Sequence, residues 1–413
     1  MRIAVIILFL IALQCNAQEW ALIKSKADSL YEARVYRSAA EVYVRMANLP
    51  GIQPRAIFQS YVLAARSWVN ASMPDSALAT LGKIDYSTLS YNDVMHVATT
   101  QDFLPLMKER RWNAVMSQMF MAATRESRGA VDDSYEQEEI IYGRKDGMAL
   151  TMLRLTPAKA ARIDKAIIQI RSGGWGSNFY MTKVSDAMPF IRKGYTVFIV
   201  FHGSEPLYSV ADAMGDVQRA VRFIRYHASS YQINPEKIGA MGTSAGAHLA
   251  LMCGVSDSLR VRYSADPVDQ MSSKVKAVVS YFPVSNFFNW DESGNPADSA
   301  FLFKNILTRV LSFRQWDAQQ RKFEYLSKED QHKAMLRDIS PITHVSEDDA
   351  AILIFHGNKD ELVPVGQSIS LKQKLEAAHV PVSLHIRDGA GHGWTSDEEE
   401  SDFVMRWFET WLR

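Results

Sequence analysis

Residues 237–252 read KIGAMGTSAGAHLALM, and the fold can be inferred outward from them. The first part, Lys237–Met241, is an apolar run that predicts a β-strand, and Ala247–Met252 predicts a helix. Between them stands Gly242-Thr243-Ser244-Ala245-Gly246, a G-x-S-x-G pattern. A direct turn from strand to helix is so sharp that glycine is needed on its flanks, and it lifts the serine hydroxyl into the open. This context predicts that Ser244 is a nucleophile.

A serine hydroxyl is a weak nucleophile, so a base and a group that orients the base should accompany Ser244. After an elbow of this kind the acid comes first in the chain and the histidine second. Asp360 stands in a loop after an apolar run that ends at Phe355, and His392 stands in a glycine-rich loop beyond the last predicted strand. Active sites of α/β proteins lie at such carboxyl ends of strands. We therefore predict that His392 is the base and that Asp360 orients it.

The oxygen that becomes negative during attack on a carbonyl needs two backbone N–H donors aimed at it. One expected donor is Ala245, the residue after the nucleophile. The second is expected in the loop after an early strand, which reads RSGGWG over residues 171–176. We predict Gly173 and Gly174 as donors, because glycine lets the backbone approach a substrate closely. Trp175 is a candidate substrate contact. Which N–H between Ser172 and Gly174 is the second donor stays open.

Short apolar runs alternate with helical stretches over the C-terminal part of the chain. Such alternation predicts an α/β fold, in which a parallel sheet is covered by helices on both faces. The predicted strands are Lys165–Arg171, Thr196–Phe201, Lys237–Met241, Val275–Tyr281, Ala351–Phe355 and Val382–Ile386. Clear helices lie between some of them, at Ala211–His227 and Ile369–Ala378. Residues 284–345 are too many for a simple crossover and are rich in Phe and Trp, so we predict an inserted lid there.

The N-terminal part of the chain reads differently. Residues 18–128 contain few glycines and show apolar residues at helical spacings, which predicts an all-helical domain. Similar helical turns begin at Ala39 and Ala77, a weak likeness to tetratricopeptide repeats, and a plain helical domain is an equal alternative. A polar stretch at 129–138 is the predicted linker, and 139–413 is the predicted catalytic domain. A helical domain of this kind could bind a protein partner.

The first residues have the pattern of a signal peptide. Arg2 is followed by an apolar run over residues 3–13, and small residues precede a cut after Ala17. We therefore predict a signal peptide at 1–17 and a secreted or periplasmic bacterial protein. Lipid attachment at Cys15 is the alternative, and we favour simple cleavage because Gln14 stands where a small residue is expected. The run is too short for a transmembrane anchor.

Composition excludes several classes of function. Lys+Arg and Asp+Glu both number 46, so the chain has no net charge with which to hold a polyanion, and nucleic-acid binding is not expected. No group of His, Cys and carboxylate residues has metal-site spacing, and no phosphate-binding loop is present. The predicted chemistry needs no cofactor and no metal. Cleavage after Ala17 would leave Cys253 as the single cysteine, a small core residue.

These motifs together resemble a known family. Residues 139–413 look like the esterase branch of the α/β-hydrolases, near the hormone-sensitive-lipase-like and the feruloyl or acetylxylan esterase-like proteins. The resemblance rests on the Gly173-Gly174-Trp175 loop, on Asn234–Ile238, on Ser244–Leu249, on Asp360 with Val363-Pro364, and on Gly391–Trp394. The chain departs from the family in one place: the loop usually begins His-Gly-Gly-Gly, and here it begins Arg171-Ser172-Gly173-Gly174.

The resemblance implies an α/β-hydrolase fold and the hydrolysis of carboxylic esters, including acetyl or feruloyl groups on carbohydrate. Two alternatives share part of this pattern. A peptidase of the prolyl-oligopeptidase type has the same triad order but usually carries a propeller domain, and residues 18–128 do not read as one. A hydrolase fold that only binds ligands is the other alternative, and the complete set of Ser244, Asp360 and His392 argues against it.

Overall fold

The computed structural model divides the chain into two compact units, Met1–Glu126 and Ser127–Arg413. The residues that the structure describes are 20–89, 91–123, 134–178, 182, 184–204, 207–257, 263–291, 294–297, 300, 303–304, 307, 309–317, 319–326, 329–394 and 396–413. The predicted signal peptide at 1–17 lies outside them. In the described part, no helix combines the length and the apolar character that crossing a bilayer requires.

All the regular secondary structure described in the N-terminal unit is helical. Its helices are α1 (residues 20–32), α2 (Tyr36–Ala47), α3 (Pro54–Asn70), α4 (Pro74–Leu81), α5 (Tyr91–Thr99) and α6 (Arg110–Ala123), with 3₁₀ turns at Tyr86–Thr88 and Gln101–Lys108. Proline opens α3 and α4, where its missing N–H costs nothing because that N–H would have no helical acceptor. The predicted helical region is therefore present, and the likeness to tetratricopeptide repeats stays a prediction.

The C-terminal unit is built on one eight-stranded sheet with the order β1-β2-β4-β3-β5-β6-β9-β10. β1 and β2 form an antiparallel hairpin, β2 runs antiparallel to β4, and the other neighbours are parallel. A separate hairpin consists of β7 and β8. The strands are β1 (Tyr135–Lys145), β2 (Met148–Pro157), β3 (Ala166–Ile170), β4 (Thr196–Val200), β5 (Ile238–Thr243), β6 (Ala277–Tyr281), β7 (Arg314–Asp317), β8 (Lys322–Tyr325), β9 (Ala351–Gly357) and β10 (Val382–Arg387).

The six predicted strands are confirmed as β3, β4, β5, β6, β9 and β10. β3, β4 and β6 are buried at every residue, as expected of central parallel strands with both faces covered. The hairpin of β1 and β2 was missed, and the end of the predicted linker at 129–138 is wrong, because β1 begins at Tyr135. β1 is mostly exposed and carries charged residues, so it lacks the apolar run by which the other strands were found.

Helices cover both faces of the sheet. They are α7 (Met188–Arg192), α8 (Val210–Tyr226), α9 (Ala245–Val255), α10 (Glu329–Asp338), α11 (Gly366–Ala377) and α12 (Glu398–Trp411). One hydrophobic cluster joins the sheet to residues of α8, α9 and α11, and a second joins it to residues of α7 and α12. All residues of α9 are buried, which explains why the helix is apolar on every side. The α/β-hydrolase architecture expected from the sequence is confirmed.

The predicted lid at 284–345 is an insertion between β6 and β9. It contains the β7–β8 hairpin and α10. Several of its aromatic side chains, including Phe287, Phe303 and Phe313, are buried in the cluster that contains α9. Much of its aromatic composition is therefore explained by packing, and a lid role stays a prediction.

Candidate active site

Ser244 lies in the turn between β5 and α9 with φ 53° and ψ −119°, a backbone conformation that L-residues rarely adopt. Its N–H donates to the Tyr281 carbonyl at 2.9 Å, which ties the turn to the neighbouring strand β6. A Cβ on Gly242 would lie 2.4 Å from the Gly246 backbone, and a Cβ on Gly246 would lie 2.5 Å from the Ile170 carbonyl oxygen. Both flanking positions therefore require glycine, for the steric reason that the sequence pattern predicted.

His392 bridges the other two predicted residues. Its Nε2 lies 2.9 Å from Ser244 Oγ, and its Nδ1 lies 2.7 Å from Asp360 Oδ2. A carboxylate can only accept, so Nδ1 donates to Asp360, and Nε2 of the neutral ring is then free to accept from the serine hydroxyl. The structure thus brings together Ser244, Asp360 and His392 from three loops that lie far apart in the chain. This arrangement can draw the proton from the hydroxyl as it attacks.

The Asp360 side chain is fully buried and surrounded by donors. Its Oδ1 accepts from the backbone N–H groups of Leu362 and Val363 at 2.9 Å each. Its Oδ2 lies near two histidines, His392 at 2.7 Å and His356 at 3.2 Å. Burial by itself raises the pKa of this carboxyl, but the hydrogen bonds from His356 and His392 outweigh it and hold the pKa well below its usual range. Asp360 is therefore ionised near neutral pH.

The loop that carries His392 is held by aromatic and ionic contacts. The Phe282 ring meets the His392 ring edge-on at 4.6 Å between centroids. Two residues beyond His392, the Trp394 indole N–H donates to Glu400 Oε2 at 2.9 Å, and Arg387 reaches the same oxygen at 3.3 Å. Because Glu400 lies in the first turn of α12, the histidine loop is anchored to a helix.

The loop after β3 requires a correction to the predicted oxyanion donors. The Gly173 N–H already donates to the Gly176 carbonyl at 2.9 Å, so the prediction of Gly173 as a donor is wrong for this conformation. Gly174 adopts φ 55°, and its N–H has no protein acceptor within the described part of the chain. Ala245 opens α9, where the first N–H groups of a helix have no intrahelical acceptor. Ala245 and Gly174 are therefore the remaining predicted donors.

Arg171 stands where the family usually has histidine, and its contacts show how this loop is oriented. Its guanidinium lies 3.0 Å from Asp186 Oδ2 and donates to Gln169 Oε1 at 3.1 Å. Its carbonyl accepts from Ser177 Oγ at 2.5 Å, and the Ser177 N–H donates to Ser204 Oγ at 2.7 Å. The two ends of the loop are thus joined to each other and to the segment after β4.

The prediction that Trp175 contacts substrate is wrong, because its side chain is only 2% exposed. Its indole N–H donates to His248 Nδ1 at 3.0 Å, and its ring packs beside Phe287 and Phe303. His248 in turn donates from Nε2 to the Ile339 carbonyl at 2.7 Å. Burial lowers the pKa of His248 to about 4, so the ring is neutral and can accept from Trp175. The pair anchors the glycine loop to α9 and to the insertion.

Asp216 and Cys253 have structural roles. Asp216 accepts from the Gly203 N–H at 2.9 Å and lies 3.1 Å from Lys145 Nζ, and Cys253 is buried in the core. No three or more His, Cys, Asp or Glu residues of the described part could together hold a metal ion.

Sequence reasoning missed His356, whose ring lies beside the Asp360 carboxylate. Its position four residues before Asp360, at the end of an apolar strand, was the available signal.

Comparison with known proteins adds the family to this geometry. The BD-FAE family model matches residues 154–375, which is more than half of the 413 residues. The chain belongs to the BD-FAE family. The match to the BD-FAE model includes Ser244 and Asp360 and ends before His392. The place of His392 in the site therefore rests on the distances given above.

Curated proteins similar to this BD-FAE member include a probable carboxylic ester hydrolase, LipM, and the esterase LipC, both from Mycobacterium tuberculosis. LipM is 23% identical over a match that covers 54% of this chain and 50% of LipM. LipC is 27% identical over a match that covers 43% of this chain and 40% of LipC. The chain thus spans about half the length of the curated relatives that it matches.

A solved structure described as a truncated form of a carbohydrate esterase from gut microbiota is also similar. The matched region covers 69% of this chain and 99% of the chain in the solved structure, with 25% sequence identity and a TM-score of 0.55. The expected α/β-hydrolase family of esterase type is thereby confirmed.

Proposed function

We propose that this chain is an exported serine esterase that hydrolyses carboxylic esters through Ser244, His392 and Asp360. One observation carries the proposal: His392 lies within hydrogen-bond distance of both Ser244 Oγ and Asp360 Oδ2, at 2.9 and 2.7 Å. Ser244 also has the unusual backbone conformation of a nucleophile at a strand–helix turn. Similarity to proteins named as esterases supports the same reaction class.

The mechanism is acyl transfer in two steps. His392 Nε2 takes the hydroxyl proton as Ser244 Oγ forms a bond to the ester carbonyl carbon, and Asp360 stabilises the charged imidazole. The N–H groups of Ala245 and Gly174 hold the negative oxygen of the tetrahedral intermediate. Collapse breaks the bond to the alcohol, which leaves with the proton from His392. Water then attacks the acyl-enzyme, activated by the same histidine, and releases the acid. Apart from the ester and the attacking water, every group in this cycle belongs to the chain.

The proposed substrate class is an ester of a carbohydrate, with acetyl and feruloyl esters as the first candidates. Support comes from the family match and from the similarity to a structure described as a carbohydrate esterase. We also propose that residues 1–17 direct export and are removed, and that the helical unit binds a partner or places the enzyme. Mass spectrometry of the exported form tests the first point, since cleavage predicts a chain that begins at Gln18.

Turnover by the purified mature chain tests the proposed reaction. The panel consists of p-nitrophenyl esters, acetylated and feruloylated oligosaccharides, and peptide amides, and we expect hydrolysis of the esters only. Ser244→Ala should lower turnover by roughly four or more powers of ten and abolish labelling by a fluorophosphonate probe. Ser401→Ala, which removes an exposed hydroxyl on α12, is the matched control. Labelling that persists in Ser244→Ala, or cleavage of amides in preference to esters, would contradict the proposal.

A further inference from the structure

His356 is a fully buried histidine beside the candidate triad, and the mechanism above does not use it. It is the second-last residue of β9, with 0% of its surface exposed. A buried imidazole is costly unless both ring nitrogens have partners. Here both do: Nδ1 lies 2.7 Å from Ser368 Oγ on α11, and Nε2 lies 3.0 Å from the Val363 carbonyl oxygen.

The partners of Nε2 determine what that nitrogen does. The Val363 carbonyl can only accept a hydrogen bond, so Nε2 must carry a proton. The same Nε2 lies 3.2 Å from Asp360 Oδ2, and an ionised carboxylate also only accepts. The Nε2–H of His356 is therefore shared between the Val363 carbonyl and the oxygen of Asp360 that receives His392.

This arrangement restrains Asp360 from both sides. Oδ1 is held by two backbone N–H groups of its own loop, those of Leu362 and Val363. Those groups move with the loop, whereas His356 belongs to β9, which is paired on both sides in the sheet, and is itself tied to α11 through Ser368. Of the groups around the carboxylate, His356 thus connects Oδ2 to the rigid sheet. Without it, the carboxylate could turn about its Cβ–Cγ bond and its charge would be shared by fewer donors.

We propose that His356 is a positioning residue that holds Oδ2 of Asp360 in line with His392 Nδ1. This inference rests on the proposed function, since it extends the Ser244–His392–Asp360 arrangement by one residue. A purely structural alternative exists, in which His356 only caps the Val363 carbonyl and fills the space below the loop. The two differ in whether the behaviour of His392 changes when the Nε2–H donor is removed.

Two substitutions at this position separate the two explanations. His356→Phe keeps a planar ring but has no donor, whereas the side-chain nitrogen of His356→Gln can occupy the place of Nε2 and donate. We expect His356→Phe to lower kcat/KM by roughly 10- to 100-fold, mostly through kcat, as small misplacements of catalytic groups do. We expect His356→Gln to recover most of this loss. Ile354→Ala is the control for stability, because Ile354 is a buried apolar residue of the core two positions earlier on the same strand.

The separate changes in kcat and KM provide a readout that packing alone would not move. A misplaced Asp360 carboxylate impairs the base in the transition state and leaves ground-state binding of the ester unchanged. The kcat should therefore fall in His356→Phe and stay near the wild-type value in His356→Gln and Ile354→Ala, while KM stays near the wild-type value in all three. If His356→Phe folds and keeps the kcat and KM of the wild type, the inference is wrong. A loss that Ile354→Ala reproduces at equal stability would also overturn it.

The rate of Ser244 labelling by a fluorophosphonate keeps this test independent of the ester substrate. If the wild type hydrolyses none of the esters in the panel but is labelled at Ser244, the proposed esterase function fails. The ratio of labelling rates between His356→Phe and His356→Gln then still tests the role of His356. We expect Phe to lower the labelling rate at least tenfold below Gln. Equal labelling rates in two folded variants would contradict the inference.

Discussion

Asp360→Asn is the most informative single substitution, because it replaces one oxygen by nitrogen and the structure decides which one. Asp360 Oδ1 accepts from the N–H groups of Leu362 and Val363, and an amide NH2 group cannot accept there. The carbonyl oxygen of the new asparagine must therefore take the place of Oδ1. Its NH2 group then takes the place of Oδ2, facing His392 Nδ1 at about the present 2.7 Å.

This orientation reverses the direction of the hydrogen bond to the base. The NH2 group donates to His392 Nδ1, so the ring proton is moved to Nε2, which faces Ser244 Oγ. A protonated Nε2 cannot take the hydroxyl proton, and the negative charge that stabilises the imidazolium is also lost. In the Ser-His-Asp template the corresponding change lowers kcat by roughly ten-thousand-fold. That factor equals about 5 kcal/mol of transition-state stabilisation.

The assay is kcat and KM for p-nitrophenyl acetate at neutral pH, together with thermal unfolding to confirm that the variant folds. Glu361→Gln and Asp388→Asn are matched controls in the neighbouring loops. Glu361 is exposed, and Asp388 accepts from the Asn358 side chain at 2.6 Å. Both controls should retain most of the activity. The assignment of Asp360 would be refuted if Asp360→Asn stayed within tenfold of the wild type, or if Asp388→Asn proved the more damaging change.

Three further predictions concern Gly246 in the strand–helix turn, the buried His248 and the independence of the two units. Gly246→Ala should unfold at lower temperature and lose turnover, because its Cβ would lie 2.5 Å from a backbone oxygen. Gly82→Ala is the control, since a Cβ there would lie 3.5 Å from the nearest backbone oxygens. Its unfolding temperature and the turnover should match those of the wild type. Burial lowers the pKa of His248 to about 4, so only the unfolded state gains this proton as the pH falls below about 6.5. The free energy of unfolding should therefore decrease between about pH 6.5 and 4, by up to about 3 kcal/mol for this residue, and urea titrations of the wild type and His248→Gln should show a flatter dependence in the variant. A chain that begins at Ser127, where the second compact unit starts, should fold and hydrolyse small esters, and an inactive or insoluble product at this and neighbouring start points would show that the helical unit is needed.

Much of the fold and site could be predicted from the sequence for a local reason. A buried parallel strand is a continuous apolar run, and Ser244 and Asp360 each stand in a loop just after such a run, whereas His392 follows the half-buried edge strand β10. Because parallel strands end at the same edge of a sheet, chain order and strand ends sufficed to bring the three residues together. The edge hairpin of β1 and β2 was missed because an exposed strand such as β1 carries charged residues and lacks an apolar run.

Other features depend on contacts between segments that are distant in the chain. The side chain of Trp175 lies in a gap closed by Phe287, Phe303 and His248, so only the packed insertion shows that it is buried. The Gly173 N–H is already hydrogen-bonded to the Gly176 carbonyl and is not available to an oxyanion. The glycines in the sequence do not reveal this bond.

The role of His356 shows the same division most clearly. The order of residues shows that a histidine lies near the end of an apolar strand, four residues before Asp360. That its Nε2 faces both the Val363 carbonyl and Asp360 Oδ2 is visible in the folded chain alone. A strand pattern reflects the burial of single residues, and the sequence records those residues position by position. Hydrogen-bond direction depends on where a partner atom is placed by the rest of the fold.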